Sequence, residues 1–313
     1  MAWDIHPGPY LIMYLPAITI GYAVPDGNFA ASVHSAFQSA LNLRLNGENL
    51  LLTLVVSGEA DLPQGIRLDT PEGFSFENFS LGEPVVCKDG ILYFEKSSLT
   101  VQLSRARRWK CDLPALKFDP AAPPVSAAWS LVWEALNERQ RLSEAEIVAE
   151  ELFRESAQMG VLRRAGEAMR DLVDATRRYS LVNTSAVQAL IGLGSGLTPS
   201  GDDLLTGYLA GLWCTVGSES ERAQFIADLG KTIIQLSSKT NDISRTYLYH
   251  AAQGQVSSRL ANLIEAISRG ENPERLSETA EVAMKVGHTS GMDAVTGLLV
   301  GLATWMNLGT SYF

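Results

Sequence analysis

The sequence predicts an α+β protein, with a β-rich N-terminal domain at residues 1–122 and an all-α C-terminal domain at residues 123–313. Three observations support this prediction. Apolar runs are short and bounded by turn residues before the proline-rich segment at 120–124, and they become long and helix-periodic after it. A glycine-rich phrase typical of a helix start occurs twice in the second part. The chain of 313 residues is also long enough to build two separate cores.

Short strands are expected in the first domain. The apolar runs that predict them lie at 10–15, 41–45, 50–57, 90–94 and 99–103. Two dipeptides, Asn46-Gly47 and Asp89-Gly90, have the composition of tight hairpin turns. These turns favour antiparallel pairing of the strands on either side of them.

Helices are expected at one place in the first domain and almost throughout the second. Within residues 30–42, Val33, Phe37 and Leu41 recur at helical spacing and predict one helix among the strands. A capping-box pattern at 143–146 predicts a further helix start after the first helix of the second domain. The helices predicted in the second domain lie at 126–141, 143–160, 161–179, 184–191, 201–216, 219–236, 242–253, 257–268, 273–286 and 291–307.

The repeated phrase is the most informative feature of the chain. Residues 200–212 (SGDDLLTGYLAGL) recur at 290–302 (SGMDAVTGLLVGL), with eight of thirteen positions identical. Glycine inside a helix costs about 1 kcal/mol relative to alanine, so glycines retained there need a compensating contact. The four glycines concerned are Gly207, Gly211, Gly297 and Gly301. We therefore predict two pseudo-equivalent glycine-rich helices that cross at their glycine faces.

The serine and aspartate of each copy have a simple local interpretation. If Ser200 and Ser290 are N-caps, Asp203 and Asp293 fall at the third helical position and complete a capping box. This interpretation requires no ligand, but it leaves the glycines unexplained. The crossing would also bring the two helix starts together around a pseudo-twofold axis.

Paired helix starts suit a negatively charged ligand. Each start offers unpaired backbone N–H groups and the positive end of a helix dipole, and the small residues of the preceding loops permit close approach. One helix end contributes only about 0.3–1 kcal/mol to a bound anion, so further hydrogen bonds are needed. The residues predicted to bind the ligand here are Gly194, Ser195, Gly196, Thr198, Ser200, Gly201, Asp202, Asp203, Thr289, Ser290, Gly291 and Asp293. We expect Gly201→Ala to weaken binding while leaving the fold intact.

Three alternatives remain open for this site. Asp202 and Asp203 oppose a bare anion, so either they face away in caps or a metal such as Mg²⁺ mediates binding. In the third alternative the repeated helices serve only the architecture. No cofactor is predicted, with Mg²⁺ kept as the alternative, and no metal-ligand spacing is found.

Two further positions are candidates for catalysis. Arg245 is the best source of positive charge, and with Ser244 and Thr246 it would clamp a carboxylate or phosphate. The competing interpretation is a surface arginine that follows a helix cap. His288 stands just before the second copy of the phrase and is either a general acid or a loop histidine bonded to backbone.

The bulk composition narrows the class of partner. A net charge of −10 argues against a nucleic-acid or anionic-membrane surface. Three widely spaced cysteines form neither a disulfide framework nor a metal motif and favour a reducing compartment. With no run of membrane-spanning length and no signal-peptide pattern, we expect a cytoplasmic protein without membrane contact.

The string from Gly192 to Asp203 (GLGSGLTPSGDD), followed by Gly207 and then residues 287–293 (GHTSGMD), resembles the AllH-like family. The resemblance covers most of the chain and is looser in the N-terminal part, at 35–37 and 40–43. It implies a subunit of a three-component oxamate carbamoyltransferase of anaerobic allantoin degradation, a branch of purine catabolism. The implied reaction converts oxalurate and phosphate into oxamate and carbamoyl phosphate, with two partner subunits.

The resemblance suits the predicted site, because every ligand in that reaction carries a carboxylate or a phosphate. Carbamoyl transfer needs an oriented phosphate and donors at the carbamoyl oxygen more than it needs covalent catalysis. We therefore expect a carbamoyltransferase subunit that binds small anionic metabolites and assembles with partner subunits. The alternatives are a non-catalytic scaffold or regulatory subunit, and a metal-dependent enzyme that uses Asp202 and Asp203.

Overall fold

The fold was determined as a computed structural model that describes residues 13–116, 118–119, 122–154, 160–180 and 184–305. The chain divides into two compact units, Met1–Lys110 and Cys111–Phe313. The division falls about ten residues before the composition change that suggested a boundary after 122. Strands occupy the first unit and helices the second, so the predicted α+β class is confirmed.

The first unit is a closed barrel of β-strands. Its strands within the described residues are β1 (Met13–Gly21), β2 (Phe29–Ala36), β3 (Ala40–Leu45), β4 (Leu51–Val55), β5 (Gly65–Leu68), β6 (Pro84–Lys88), β7 (Ile91–Phe94), β8 (Leu99–Gln102) and β9 (Arg107–Trp109). They follow the order β5-β4-β3-β2-β6-β7-β8-β1, and pairing of β1 with β5 closes the barrel. The short β9 pairs with the second half of β1, in parallel. The barrel interior is filled by alternating apolar side chains of these strands.

Four of the predicted strands are confirmed as β3, β4, β7 and β8. Residues 10–12 of the first predicted strand lie outside the described residues, and β1 is described from Met13 onward. The Asp89-Gly90 turn joins antiparallel β6 and β7, and both residues have positive φ angles, 51° and 76°. Positive φ at both central positions is the geometry that this dipeptide favours.

The helix predicted at 30–42 is wrong, because this segment forms β2, a reversal and β3. Val33 and Leu41 are both buried, but they belong to different strands of the same antiparallel pair. Phe37 lies at the reversal, where its N–H bonds to the carbonyl of Ala40 at 2.8 Å. Apolar residues on either side of a tight reversal thus reproduced helical spacing by coincidence.

The second unit is helical. Its helices within the described residues are α1 (Pro123–Arg141), α2 (Val161–Arg177), α3 (Ser185–Leu190), α4 (Ser200–Cys214), α5 (Ser220–Leu236), α6 (Asp242–Ala251), α7 (Ser258–Arg269), α8 (Pro273–Met284) and α9 (Ser290–Ala303). Nearly all begin and end close to the predicted limits, and residues 306–307 of the last prediction lie outside the described residues. Helix α9 packs against α4, α1 and α8. None of the helices in the described part of the chain has the length and apolarity needed to cross a membrane.

The helix predicted at 143–160 is wrong in its described part, which holds turns and one short 3-10 segment, Ala149–Glu151. Residues 155–159 lie outside the described residues. The hydroxyl of Ser143 bonds back to the carbonyl of Gln140 at 3.1 Å rather than forward into a helix. The Gln140 side chain also accepts from the N–H of Ala149 at 2.8 Å and donates to the carbonyl of Ile147 at 3.0 Å. A side chain of α1 therefore satisfies the backbone groups that a helix would have paired.

Candidate functional site

Helices α4 and α9 approach so closely that their contact requires glycine. A Cβ atom on Gly207 would lie 1.8 Å from the carbonyl oxygen of Ala294. A Cβ atom on Gly297 would lie 2.0 Å from the carbonyl oxygen of Leu204. Carbon and oxygen atoms at these distances overlap strongly, so only glycine lets the two backbones touch.

The contact continues one turn further with the same reciprocity. A Cβ atom on Gly211 would lie 2.6 Å from the carbonyl oxygen of Leu298, and one on Gly301 would lie 2.4 Å from that of Tyr208. The contacts advance in the same direction along both helices, so α4 and α9 run parallel. Each contact of one helix has its equivalent in the other repeat, which confirms the two pseudo-equivalent glycine-rich helices.

Parallel helices that touch near their N-terminal ends bring their starts together. The hydroxyls of Thr198, which precedes α4, and Ser290, the first residue of α9, lie 2.6 Å apart and form a hydrogen bond. The predicted convergence of the two helix starts is therefore present.

The capping boxes predicted at both starts are wrong. The residues in the N-cap positions are Pro199 and Thr289, so Ser200 and Ser290 are already the first helical residues. Neither helix has a side-chain N-cap hydrogen bond. Each serine instead faces an aspartate of the other helix.

Asp203, on the first turn of α4, lies beside the start of α9. Burial raises the pKa of its carboxyl well above the usual 3.8, and the nearby Asp293 raises it further. The hydroxyls of Ser290 and Thr198 act in the opposite direction and lower this pKa. The residue is partly exposed, but its Oδ2 atom is buried and accepts no hydrogen bond of regular geometry.

Asp293 has the equivalent position in α9 and is fully buried, with a relative exposure of 0%. Burial raises the pKa of its carboxyl to about 7, and the charge of Glu146 adds to the increase. The hydroxyls of Ser200 and Thr289 lower this pKa. Since neither carboxyl oxygen accepts a hydrogen bond of regular geometry, we ascribe the influence of the hydroxyls to electrostatic proximity.

Asp202 has a different environment from its neighbour in sequence. Its Oδ1 accepts from the N–H of Gly192 at 2.9 Å, and its Oδ2 accepts from the hydroxyl of Thr240 at 2.5 Å. Burial raises the pKa of Asp202, while Thr240, Gly192 and the nearby Ser244 hydroxyl lower it. The second repeat has Met292 at this position. Asp202 thus connects the start of α4 to its preceding loop and to the segment before α6.

A metal role for Asp202 and Asp203 receives no support from this arrangement. Both oxygens of Asp202 already accept hydrogen bonds from the protein. In the part of the chain that the structure describes, no three His, Cys, Asp or Glu side chains are grouped so as to hold a metal ion. Binding of Mg²⁺ remains a hypothesis.

The loop before α4 depends on glycine for its path. Gly192, Gly194 and Gly196 have φ angles of 73°, 107° and 94°, which favour glycine. A Cβ atom on Gly194 would also lie 2.9 Å from the backbone nitrogen of Ser200, whereas Gly196 faces open space. The N–H of Ser195 points to Oε2 of Glu146 at 3.4 Å.

Gly201 and Gly291 follow the two serines, and their small size is required for packing. A Cβ atom on Gly201 would lie 2.1 Å from the carbonyl oxygen of Leu190, and one on Gly291 would lie 2.5 Å from that of Ala283. The N–H of Gly201 donates to the carbonyl of Leu193 at 2.8 Å. The expectation that Gly201→Ala leaves the fold intact is therefore wrong. A direct role of these two glycines in binding stays a prediction.

Helix α6 begins beside the glycine-rich loop. Asn241 is its N-cap, and its side-chain amide donates to the carbonyl of Leu197 at 2.9 Å. The guanidinium of Arg245 pairs with Asp242 at 2.8 Å within the same helix. The hydroxyl of Thr246 donates to the carbonyl of Asp242 at 2.8 Å. The predicted clamp residues thus lie in the helix that the loop contacts, with Arg245 held by an intrahelical ion pair.

His288 is exposed in the turn before α9, next to Gly287, whose φ angle is 59°. Its position beside Thr289 leaves both predicted alternatives open, the general acid and the loop histidine.

Two residues near the site were missed by the sequence analysis. Glu146 contacts the loop before α4, and its charge raises the pKa of Asp293, but its sequence pattern was assigned to a capping box. Thr240 bonds to Asp202, and only its position just before the Asn241 cap distinguishes it in the sequence. Both residues reach the site through tertiary contacts that local patterns do not reveal.

The fold and this geometry define a class of protein: an α+β chain of two units in which polar side chains meet where two repeated helices begin. The comparisons agree with it. Residues 190–302 match the family described as oxamate carbamoyltransferase subunit AllH, and residues 17–108 match the AllH family N-terminal domain.

The chain belongs to the AllH family, and its role is that of a carbamoyltransferase subunit. The family describes one subunit of a multi-component enzyme, so partner subunits are part of this role. No solved structure matches the chain. The C-terminal match includes both copies of the repeated phrase and the loop before α4.

Proposed function

We propose that this chain is the subunit that binds the small anionic substrates of an oxamate carbamoyltransferase at the paired starts of α4 and α9. The ligands would be oxalurate or oxamate together with phosphate or carbamoyl phosphate. The observation that carries the proposal is the 2.6 Å contact between the hydroxyls of Thr198 and Ser290, which places two helix dipoles and two hydroxyls together.

The donors at this point have the chemistry that an oxyanion requires. Hydroxyl groups rotate to donate to a ligand, and helix N-termini favour negative charge. Two helix ends contribute together about 2–4 kcal/mol if both are partly buried. Binding in the millimolar range needs about 4 kcal/mol, so the hydroxyls have to supply the remainder.

The acidic side chains set the main constraint on this proposal. An ionised carboxylate at about 4 Å from the ligand would oppose it by about 4 kcal/mol at an effective dielectric constant of about 20. That repulsion equals the whole contribution of the two helix ends. The raised pKa values of Asp203 and Asp293 remove the difficulty, because a neutral carboxyl does not repel an anion. A neutral carboxyl also donates a hydrogen bond through its O–H group.

His288 and Arg245 complete the proposed chemistry. His288, exposed in the turn before α9, would act as a general acid toward the leaving nitrogen of a ureido substrate. Arg245 would approach the phosphate after exchanging its ion pair with Asp242, and Ser244 and Thr246 belong to the same proposed group. We propose further that the protein works in the cytoplasm, since the three cysteines are buried free thiols.

Thermal-shift measurements test the proposal. Oxamate, oxalurate, phosphate and carbamoyl phosphate are each added to the isolated chain and to its complex with the partner subunits, with and without Mg²⁺. We expect stabilisation by these anions without Mg²⁺, since a ligand that binds only the folded state raises the unfolding temperature. A response that requires Mg²⁺ would favour the metal-dependent alternative.

A pair of variants localises any response. Thr198→Val removes one of the two converging hydroxyls and should abolish most of the anion response. Thr100→Val, on strand β8 of the first unit, is the matched control and should preserve it. If the native protein and its complex both ignore all four anions, the chain is a scaffold or regulatory subunit, and the anion site is refuted.

A further inference from the structure

The starts of α4 and α9 contain carboxyl oxygens that the protein does not satisfy. Oδ2 of Asp203 and both carboxyl oxygens of Asp293 are buried and accept no hydrogen bond of regular geometry. Buried polar atoms in folded proteins are almost always bonded, so these oxygens favour a bound proton, water molecule, ion or ligand as a partner besides the nearby hydroxyls. Asp293 has no exposed surface, so bulk water cannot hydrogen-bond to its carboxyl.

The groups around Asp203 and Asp293 limit what can bind to their carboxyl oxygens. Asp293 is faced by Ser200 and Thr289 and by the charge of Glu146. Asp203 is influenced by the charges of Asp293 and Asp202 and by the hydroxyls of Ser290 and Thr198. These neighbours are hydroxyls and acids, and none of them supplies positive charge. Two adjacent buried carboxyls in such surroundings cannot both ionise at low cost.

We infer that the carboxyls of Asp203 and Asp293 are both neutral when an anion is bound between the helix starts, and that the anion enters together with one proton taken up by Asp293. The inference rests on the proposed function, since it assigns the anion to the same site. A carboxylic acid donates through its O–H to the anion, and its carbonyl oxygen accepts from a serine hydroxyl or from an amide N–H of the ligand. A ligand that carries both an oxyanion and an amide, such as oxamate, matches this combination of donor and acceptor.

The pair makes binding depend on pH in a defined direction. Above the pKa of Asp293, a proton must be taken up for each anion bound, so the affinity falls about tenfold per pH unit. Below that pKa the proton is already present, and the affinity no longer depends on pH. The pKa of Asp293, about 7, places the change near neutrality.

Isothermal titration calorimetry with oxamate as the probe tests this linkage. Oxamate is preferable to phosphate because its carboxylate does not titrate near neutral pH. The experiment uses the full chain in two buffers of different ionisation enthalpy at about pH 8, one pH unit above the pKa of Asp293. We expect uptake of about one proton per oxamate and a roughly tenfold lower affinity than at about pH 7.

Two variants identify the proton acceptor. Asp293→Asn keeps the shape of the side chain and cannot take up a proton, so oxamate should still bind, with a flat pH profile and no proton uptake. Glu281→Gln is the matched control, because it makes the same acid-to-amide change at an exposed carboxyl of α8, the helix that precedes α9. This control should retain the proton uptake of the native chain.

The outcomes distinguish failure of the proton uptake from failure of the anion site. Oxamate binding without proton uptake, or uptake that is kept in Asp293→Asn or lost in Glu281→Gln, overturns the proton uptake by Asp293 and leaves the anion site standing. Infrared spectroscopy of the ligand-free chain gives an independent check. We expect the carboxylic-acid C=O absorption to decrease between about pH 6 and about pH 8, and this decrease to be missing in Asp293→Asn, because about nine-tenths of a group with a pKa near 7 is protonated at pH 6 and about one-tenth at pH 8. Absence of this decrease in the native chain refutes the inference even if oxamate does not bind.

Discussion

Replacement of Gly207 by alanine tests the crossing of α4 and α9, on which the site depends. The new Cβ atom would lie 1.8 Å from the carbonyl oxygen of Ala294 and 2.7 Å from the backbone nitrogen of Leu298. Both atoms belong to the backbone of a buried helix, so no flexible side chain can move aside. The helices would have to separate by about 1.5 Å to restore an ordinary contact distance.

The energetic cost follows from that displacement. A gap of about 0.5–1 Å already removes a quarter to a half of the dispersion energy of the atoms that line it. Overpacking of a core costs about 1–3 kcal/mol and sometimes more, whereas alanine gains about 1 kcal/mol over glycine in helix propensity. Because the overlap at Gly207 is severe and involves only backbone atoms, we expect a cost at the upper end of this range or above it. The net loss in the free energy of unfolding should then be about 2 kcal/mol or more, measured by urea denaturation followed by circular dichroism.

Gly230→Ala is the matched control for this measurement. Gly230 is also inside a helix of the second unit, α5, but its Cβ atom would lie 3.0 Å from the carbonyl oxygen of Ala252. This contact is tight without severe overlap, so the stability should change by less than about 1 kcal/mol. Equal or higher stability of Gly207→Ala relative to the native chain would refute the backbone contact.

The pseudo-twofold relation between α4 and α9 predicts that the equivalent substitution in α9 has an equivalent cost. Gly297→Ala should cost about as much as Gly207→Ala, because its Cβ atom would lie 2.0 Å from the carbonyl oxygen of Leu204. The double variant should cost clearly less than the sum, since one separation of the helices relieves both overlaps. Additive costs would show that the two glycines act at independent contacts.

Three further predictions concern the helix starts. Asp293→Asn should stabilise the chain at about pH 8 by up to about 4 kcal/mol, and this gain should vanish toward about pH 4. The reason is that the raised pKa destabilises the folded state only where the carboxyl is ionised in the unfolded chain. Unfolding measured across this pH range checks the prediction, and a pH-independent difference between the two proteins would contradict it. Gly201→Ala should lower stability by about 2 kcal/mol or more, because its Cβ atom would lie 2.1 Å from the carbonyl oxygen of Leu190; an unchanged urea midpoint would contradict the clash. Thr198→Val should cost about 1 kcal/mol through loss of its bond to Ser290, and an unchanged unfolding free energy would show that the bond is dispensable.

A second buried group, His250, also makes stability depend on pH, but its effect cancels when Asp293→Asn is compared with the native chain. Burial lowers the pKa of His250 to about 4, so this histidine is neutral in the folded protein. Its contribution to stability is lost as the pH falls from about 6.5, the usual value, through about 4. This trend opposes that of Asp293, but it is common to both proteins and cancels in their difference.

Helix limits in the second unit were predictable because their signals are local. Asn241 and Asn272 each cap a helix through their own side chains, and Pro273 follows at the first helical position. The incorrect helix at 143–160 had an equally good local signal. It failed because Gln140, a residue of the preceding helix, bonds to the same backbone groups.

The residues that lie at the two helix starts were predictable from the sequence, but the way they pair was not. The repeat identified the serines and aspartates, and the glycine spacing indicated that the helices cross. Within each copy, however, the spacing from Ser200 to Asp203 is also that of a capping box, and this local interpretation was chosen. In the folded chain Ser200 faces Asp293 while Asp203 faces Ser290. Only a helix crossing of known direction distinguishes the exchanged pairs from the local ones.

The two helix starts are equivalent in their serine and aspartate but differ in the segments around them. The start of α4 has a long glycine-rich loop that reaches open space at Gly196, and it has Asp202 where α9 has Met292. The start of α9 follows a short turn with the exposed His288. A symmetric pair of starts would treat both ends of a ligand alike, whereas these surroundings distinguish them. Under the proposed function, the substrates carry different groups at their two ends. The serines and aspartates of the two starts would then hold the oxyanion, and the different surrounding segments would set its orientation.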